Sequence, residues 1–430
     1  MDTIHELSHA VALPDFDIFG IPGTQTTVER GITTEYRPIA SLDGSSTIEF
    51  QVPTSADEYV RLEDTQLYLR VKVTATSSSP VASVEKPLKK VSPVNYLLHS
   101  MIKQVDLMIG DKLVTASPQT YAYRAYLEAL LGYSQDAKKS YLGTSLWMDD
   151  PDKRLPLKNF DEISQNGEID LIGRLHLDLA QQNRVILGGC KLTFKLHFNE
   201  TKFFLMADDV TPKVSILDAA LFVHKSKAHP MVVAGHAAAL LKAPAKYPIT
   251  HKRVKSFTIN KGVYDVSMDN IHIGQLPRRI IVAMVPNDAF NGSLTKNPFY
   301  FDHFNIIHFA TYVNGIQYPQ RAYNPDFSRA QYARELYCLV EALNQNNIEC
   351  TVPFNRLTYA NGNTIFAVNY SADHSAGCVE GHSNPIQHGS LRLEMRFKSE
   401  LPETITVIVL MEFDKIIEID QYKNAAIEFN

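Results

Sequence analysis

Two stretches of the chain, about two hundred residues apart, repeat one order of features. In the first, a strand-like run ends at Gly110 and a helix-like segment follows at 121–130. In the second, a strand-like run ends at Gly315 and a helix-like segment follows at 332–343. The glycines are 205 positions apart (315 − 110). A period this long predicts two whole domains, because solenoid repeats are only about 20–50 residues long.

A third pair of segments supports the duplication. One set of alternating apolar residues recurs 199 positions later (391 − 192). Its members are Leu192, Phe194, Leu196 and Phe198 in the first copy and Leu391, Leu393, Met395 and Phe397 in the second. Three matched elements in one order indicate a duplicated β-rich domain.

Alternation with period two dominates the rest of the chain. Leu67, Leu69, Val71 and Val73 occupy every second position, as do Leu175, Leu177 and Leu179 around His176 and Asp178. Such runs predict strands that bury one face, and breaks rich in Pro, Gly, Ser and Asn separate them. About eight strands in roughly 200 residues is the size of a jelly roll. We therefore predict an all-β chain with two tandem eight-stranded antiparallel jelly rolls and a few short helices in loops and linker.

The domain boundaries follow from breaks in this pattern. Residues 1–40 lack a strong period and are expected to form an extended arm over the surface or onto a neighbour. The first jelly roll is expected at 41–228 and the second at 248–430. Between them, 229–247 contains an alanine-rich segment, 232–241, that predicts a linking helix.

Charge and hydropathy narrow the class of protein. The formal net charge is −5, and the short basic cluster at Lys252, Arg253 and Lys255 is too small to neutralise nucleic acid, so strong direct nucleic-acid binding is not expected. No run reaches the roughly 18–20 apolar residues that span a bilayer. The first residues lack the pattern of a secretory signal, so synthesis in the cytosol is expected. Cys190, Cys338, Cys350 and Cys378 show no metal or disulfide spacing and are expected to be thiols.

One short motif suggests an enzyme. His5, Glu6 and His9 match the H-E-x-x-H pattern, in which two histidines bind zinc and the glutamate activates water. However, Pro14 would cut short any helix that carries them. An arm that happens to contain two histidines is the favoured interpretation, and a zinc hydrolase is kept as an alternative.

Two further groups of histidines are weighed as ligands. His374, Cys378, His382 and His388 crowd a polar segment, but their spacing fits no zinc pattern, and a surface loop is favoured. His224, His229 and His236 flank the linker helix, where a pH-sensitive contact is conceivable without support from the sequence. We assign no catalytic, cofactor-binding or metal-binding residue and no cofactor. The 21 Phe and 20 Tyr fit a buried core and a large protein interface equally well.

Several segments carry a resemblance to a known group. They are 14–19, 25–27, 48–50, the helix-like 121–128, 287–293 and 418–420. Together they resemble the double-jelly-roll major capsid proteins of Polinton/Maverick elements and related (adintovirus-like) double-stranded DNA viruses, of the adenovirus-hexon lineage. The likeness covers nearly the whole chain, and its motifs are structural.

The resemblance implies a structural function without catalysis. It implies homotrimers of pseudo-hexameric outline that contact neighbouring capsomers in an icosahedral shell around double-stranded DNA, with a penton or minor capsid protein as a partner. The expected location is the virion capsid, after synthesis in the host cytoplasm. Contact with an inner membrane is left open. Two alternatives also stay open, namely a minor or penton capsid protein, since the chain is short for the group, and a carbohydrate-binding tandem jelly roll.

Overall fold

The structure is a computed structural model. It describes residues 5, 7–9, 11, 13–42, 46–77, 87–115, 119–149, 158–345, 350–375, 377 and 381–427. Among these residues, no helix is both long and apolar enough to cross a membrane.

The first half of the chain folds into a sandwich of two four-stranded antiparallel sheets. One sheet has the order β1-β10-β3-β7 and the other β2-β8-β5-β6, while β4 pairs with β9 beside them. The strands are β1 (Val28–Tyr36), β2 (Thr47–Val52), β3 (Glu58–Ser77), β4 (Val91–Pro93), β5 (Ile102–Ile109), β6 (Lys112–Leu113), β7 (Glu168–Arg174), β8 (Leu192–Phe198), β9 (Leu205–Ala207) and β10 (Val210–Ala228).

The second half repeats the arrangement. One sheet has the order β11-β18-β13-β16, with β19 added beside β18, and the other has the order β12-β17-β14-β15. The strands are β11 (Ala245–Ile259), β12 (Asp265–Gln275), β13 (Arg279–Pro286), β14 (Ile306–Val313), β15 (Ile316–Tyr323), β16 (Ile365–Asn369), β17 (His388–Phe397), β18 (Ile405–Ile419) and β19 (Ala425–Ala426).

Both sandwiches have the strand order of a jelly roll. With the extra strands β4, β9 and β19 set aside, each half has one sheet of order 1-8-3-6 and one of order 2-7-4-5. The prediction of two tandem eight-stranded antiparallel jelly rolls is confirmed. The three repeats in the sequence fall on equivalent elements. Gly110 and Gly315 follow the fourth strand with φ of 60° and 83°, and the alternating apolar sets lie in β8 and β17.

The helices lie in the connections between strands. In each half, the longest connecting helix follows the fifth strand of the sandwich: α2 in the first and α8 in the second. The helices are α1 (Leu97–Ser100), α2 (Tyr121–Gly132), α3 (Gln135–Lys139), α4 (Phe160–Ile163), α5 (Thr201–Phe204), α6 (Pro230–Leu240), α7 (Asn287–Asn291), α8 (Ala333–Ala342) and α9 (Arg356–Ala360).

Three local expectations differ from the structure. Residues 28–36, expected in the arm, form β1, which pairs with β10 over Val28 to Tyr36 and so belongs to the first sheet. The first strand of the second sandwich begins at Ala245, three residues before the expected boundary at 248. The alternating run 175–179 is not a strand. It is a loop that enters a 3-10 helix, Asp178–Gln181, and His176 and Asp178 are buried in it along with Leu175, Leu177 and Leu179.

The core of the molecule crosses from one sandwich to the other. The interior of the first sandwich is continuous with Ile281, Ala283, Val285, Ile408 and Leu410, which lie on the outer face of the β11-β18-β13-β16 sheet. The opposite face of that sheet lines a separate core inside the second sandwich, as Ile280, Val282, Val407 and Val409 show. This sheet is therefore buried on both faces, which explains why β13 and β18 read as nearly unbroken apolar runs.

Candidate functional site

The candidate ligands that lie among the described residues do not form a metal-binding cluster. His5 and His9 are exposed and non-helical in the structure, and Glu6 lies outside the described residues. His374, His382 and His388 are exposed, and Cys378 also lies outside the described residues. Over the part of the chain that is described, no three His, Cys, Asp or Glu side chains are grouped so as to hold a metal ion.

Several of these histidines have local structural contacts. His382 Nε2 lies 2.8 Å from Asp373 Oδ2. His229 Nδ1 accepts a hydrogen bond from the Met231 amide at the start of α6, which satisfies one unpaired donor of that helix. His236 Nδ1 lies 2.9 Å from the Tyr59 hydroxyl, and His224 Nδ1 lies 3.2 Å from Thr33 Oγ1. These contacts explain the positions of the rings without a ligand.

An extensive set of side-chain contacts lies where the two sandwiches meet, and α2 is at its centre. Apart from Arg124 and Gly132, every residue of α2 is buried. A surface helix normally buries one stripe, and a helix buried all round has neighbours on every side. The first sandwich covers α2 on one side through α1 and β5, and the second sandwich covers it on the other.

Aromatic rings form the apolar part of this junction. Tyr126 stacks on Phe299 of the second sandwich, with ring centroids 4.0 Å apart and planes within 4°. Its other stacking partner is Trp147, the single tryptophan, at 5.3 Å. Tyr123 stacks on Phe290 at 5.4 Å and meets Phe299 edge-on at 5.6 Å. Such pairs add about 0.5–1.5 kcal/mol each beyond the area that they bury.

A buried network of charges forms the polar part. Arg124 in α2 joins two carboxylates, with Nε 2.8 Å from Glu128 Oε1 and Nη2 2.7 Å from Asp178 Oδ1. The second sandwich supplies two further partners from β11. His251 Nδ1 lies 2.7 Å from Asp178 Oδ2, and Lys252 Nζ lies 3.2 Å from Glu128 Oε1. Lys252, part of the short basic cluster, is therefore engaged within the chain.

The carboxylates of this network are held in their charged forms. Burial by itself disfavours the charge, but Arg124, Lys252 and His176 outweigh it and hold the pKa of Glu128 well below its ordinary value. Burial likewise opposes the charge of Asp178, and Arg124 and His251 lower its pKa on balance. His176 Nδ1 lies 2.6 Å from Glu128 Oε2, and Gln181 donates to the same oxygen at 2.6 Å. Each charge thus has partners, which is the condition for burying it.

Hydrogen bonds to backbone carbonyls extend the junction beyond α2. Lys138 donates to the carbonyl of Leu130 at 2.7 Å and, across the junction, to that of Thr351 at 2.9 Å. Gln345 of the second sandwich donates to the carbonyl of Leu131 at 3.1 Å. Burial lowers the pKa of Lys138 to about 8. Apolar packing, ion pairs and these hydrogen bonds together fix the two sandwiches relative to each other.

The sequence predicted α2 but not its role. At helical spacing, Tyr123, Leu127, Leu130 and Leu131 fall on one apolar face of this segment, whereas the structure buries the helix all round. Tyr126 and Glu128 lie outside that face, and they were the sequence signal that the helix has contacts on its other sides. Of the partners of Glu128, Arg124 lies one turn away on α2, whereas His176 and Lys252 come from distant segments and reach Glu128 only in the folded chain.

Comparison with known proteins shows which fold this is. No protein-family model matches the chain. An uncharacterised protein of Caenorhabditis elegans is 25% identical over 423 residues, covering 95% of this chain and 99% of that protein.

Three solved structures are similar over nearly the whole chain. A chain of the Sputnik virophage has a TM-score of 0.69 at 10% identity and covers 99% of this chain and 94% of its own. A chain of the PBCV-1 virus capsid has a TM-score of 0.61 at 9% identity, with coverage of 96% and 99%. The mavirus major capsid protein has a TM-score of 0.52 at 10% identity, with coverage of 99% and 97%. The chain therefore has the double-jelly-roll fold of viral capsid structures.

Proposed function

We propose that this chain is a structural major capsid protein, whose homotrimers form pseudo-hexameric capsomers of an icosahedral shell around double-stranded DNA. One observation carries the proposal. Two sandwiches with the same strand order are fixed to each other by a buried junction, so a ring of three copies presents six similar units. A rigid junction serves this purpose because neighbouring contacts repeat only if the angle between units is fixed.

The division of the chain into assembly units is part of the proposal. The units are 41–228 and 248–430, with β1 added to the first and the linker at 229–247 between them. In a six-unit ring, the second unit of one copy meets the first unit of the next copy in roughly the way that the two units of one chain meet.

The outer face of the β1-β10-β3-β7 sheet has the properties of such a contact surface. Its counterpart in the second sandwich is covered, since Ile281, Ala283 and Val285 in β13 are at most 3% exposed. In the first sandwich, Arg70 on β3 and Lys213 on β10 are exposed at that face. This face is thus uncovered in a single chain, whereas its counterpart is covered, and that difference supports its assignment as the face that meets the next copy.

Helix α8 is the matching surface on the second unit. It is the counterpart of α2, but it buries only one side, with Glu335, Leu339 and Ala342 inward. Tyr337 on its outward side is 60% exposed. By the same relation that places α2 against the second unit, α8 would contact the β1-β10-β3-β7 sheet of the next copy.

The first test is the mass and shape of the purified chain. We expect light scattering to give three times the 48.3 kDa of one chain, and negative-stain images to show particles of six-fold-like outline that close into shells. Tyr337→Glu should weaken the trimer by about tenfold or more, because it buries a charge in the contact. Tyr422→Glu changes a tyrosine that is 75% exposed elsewhere and serves as the control. A strictly monomeric chain at high concentration would contradict the proposal.

The lineage and the partners follow from the same assignment. The motif resemblance supports a place among the capsid proteins of Polinton/Maverick elements, and a full-length relative in an animal is compatible with such an element. The net charge of −5 supports a shell that encloses DNA without coating it. The proposed location is the virion capsid, and a penton or minor capsid protein is the proposed partner where five units must meet.

A further inference from the structure

The segment before β1 exposes an unusual number of large apolar side chains. Residues 13–27 contain five that are 61–91% exposed: Leu13 61%, Phe16 77%, Ile18 75%, Phe19 91% and Ile21 91%. The charged residues of this segment are Asp15 and Asp17, which alternate with the apolar residues. An exposed apolar group of this kind marks a contact surface. These residues belong to the extended arm expected at 1–40, and from here on "the arm" means residues 13–27 alone.

Helix α6 is a second exposed apolar element. Residues 229–241 carry no Asp, Glu, Lys or Arg, and no residue of α6 is buried. Met231 and Leu241 are 78% and 76% exposed. A helix that is apolar on all sides is normally covered. An interfacial lipid-binding helix would have a charged face opposite an apolar one, and α6 has none, so a protein is the better partner.

A cleft of about 590 Å³ runs beside α6. Tyr59, Val185, Leu187, Ala239, Leu240 and Tyr247 supply its apolar lining. Arg184 and Lys246 also lie along it, and the Arg184 guanidinium donates to the Lys246 carbonyl at 2.6 Å. Lys246 Nζ lies 3.7 Å from Glu418 Oε1, and both side chains are largely exposed, so that pair is weak. The cleft is thus apolar with Arg184 and Lys246 at its edge, whereas the arm is apolar with two carboxylates.

We propose that the arm of a second copy of this chain binds in this cleft, with its apolar side chains against α6 and with Asp15 and Asp17 facing Arg184 and Lys246. Apolar burial provides the attraction, and the opposite charges set the register. Neither the fold similarity nor the sequence repeat assigns a role to this cleft.

The occupant comes from a second copy because each chain keeps its own arm exposed. The arm leaves the fold beside α6, where the His229 amide donates to the Thr27 carbonyl at 2.9 Å. Fifteen residues can span up to about 50 Å when extended, which is enough to reach an adjacent molecule. In a ring of three copies, each arm fills the cleft of the next copy, so that the exchange closes on itself.

The inference rests on the proposed self-assembly but is tested separately from it. Full-length chains carrying two different affinity tags are mixed, and one population has the photo-crosslinker p-benzoylphenylalanine in place of Phe16. After illumination, we expect crosslinks between differently tagged copies, which mass spectrometry maps to 183–187 or 236–247. Ala239→Glu in the receiving copy should lower the crosslink yield about tenfold, since it places a charge where the apolar side chains of the arm bind against α6.

A matched variant separates the cleft from the helix as a whole. Ala237→Glu changes an exposed alanine of α6 that does not line the cleft, and it should leave the yield unchanged. Crosslinks within one chain, at another surface of the partner, or onto neutral phosphatidylcholine vesicles added to the mixture would each overturn the inference. Trimers that form with no crosslink between copies would overturn it and leave the proposed function standing, whereas a strictly monomeric chain would overturn both.

Discussion

Glu128 shows how a single side chain joins the two sandwiches. Arg124, His176 and Gln181 of the first sandwich and Lys252 of the second all contact its carboxylate. In the sequence, this glutamate begins a Glu-Ala-Leu triplet at 128–130 that recurs at 341–343, and nothing there marks it as a charged group of the junction. Arg124 lies only four positions earlier on the same helix, but His176 and Lys252 could not be predicted as partners because they lie 48 and 124 positions further along the chain (176 − 128 and 252 − 128). Only the folded sandwiches bring them to Glu128.

Replacing this residue should weaken the junction in a pH-dependent way. Glu128→Gln keeps the size of the side chain but leaves the buried cations with one negative charge fewer, and we expect a loss of about 3–5 kcal/mol in the free energy of unfolding at neutral pH. Because the folded pKa of Glu128 lies below its ordinary value of 4.5, its contribution is fully present above that value. It is lost as the pH falls toward the folded pKa. Urea unfolding between pH 3 and 7 measures this.

The control for this prediction is a carboxylate without such partners. Glu400 is exposed, and Glu400→Gln should change the free energy of unfolding by less than about 0.5 kcal/mol at any pH in the range. A Glu128→Gln deficit that stayed constant down to pH 3 would contradict the electrostatic account.

At the scale of elements, the matched turns and helices were predictable and their surroundings were not. Gly110, Gly315 and the two connecting helices fall at equivalent places, as the repeat indicated. Helical spacing puts Leu336 and Val340 on an apolar face of α8, and both are half-buried. The most deeply buried face, however, contains Glu335 and Leu339, one position earlier. The run 175–179 alternates like a strand but forms none, because both of its faces are enclosed. Hydrophobic periodicity identifies an element that buries one face. It does not identify the type of element or its buried residues when the element is covered on two sides.

The two equivalent glycines should tolerate substitution equally poorly. Gly110 and Gly315 both have φ in the left-handed region, at 60° and 83°. Because a Cβ is strained there, alanine at either position should lower the free energy of unfolding by about 1 kcal/mol. Gly132, at the end of α2, has open space around it and no left-handed φ, so Gly132→Ala should be neutral or slightly stabilising. Thermal unfolding of the three variants provides the comparison, and a neutral Gly315→Ala would show that the turn adapts.

At the scale of the whole molecule, the continuous core predicts that the two sandwiches unfold together. The outer face of the β11-β18-β13-β16 sheet belongs to the core of the first sandwich, so neither half can open without exposing apolar surface of the other. Calorimetry should therefore show a single transition with equal calorimetric and van't Hoff enthalpies. Two separate transitions in the unmodified chain would contradict this.

A pair of variants locates this coupling in the junction. Phe299→Ala removes the ring that stacks on Tyr126 at 4.0 Å, and it should separate the single transition into two. Phe309→Ala also empties a fully buried site, but that site lies inside the second sandwich. This control should lose about 3–5 kcal/mol and keep one transition.

The covering of α2 also constrains the order of events during translation. The ribosome completes this helix more than 150 residues before it reaches Phe290, Phe299 and Phe301. Until then, the apolar side that the second sandwich will cover faces the solvent or a chaperone. The first half of the nascent chain thus exposes an apolar surface, and neighbouring nascent chains on one polysome would be able to associate through it. Slow synthesis through residues 133–290 would lengthen that exposure. The rate of translation over this segment would then affect how much of the protein misassembles.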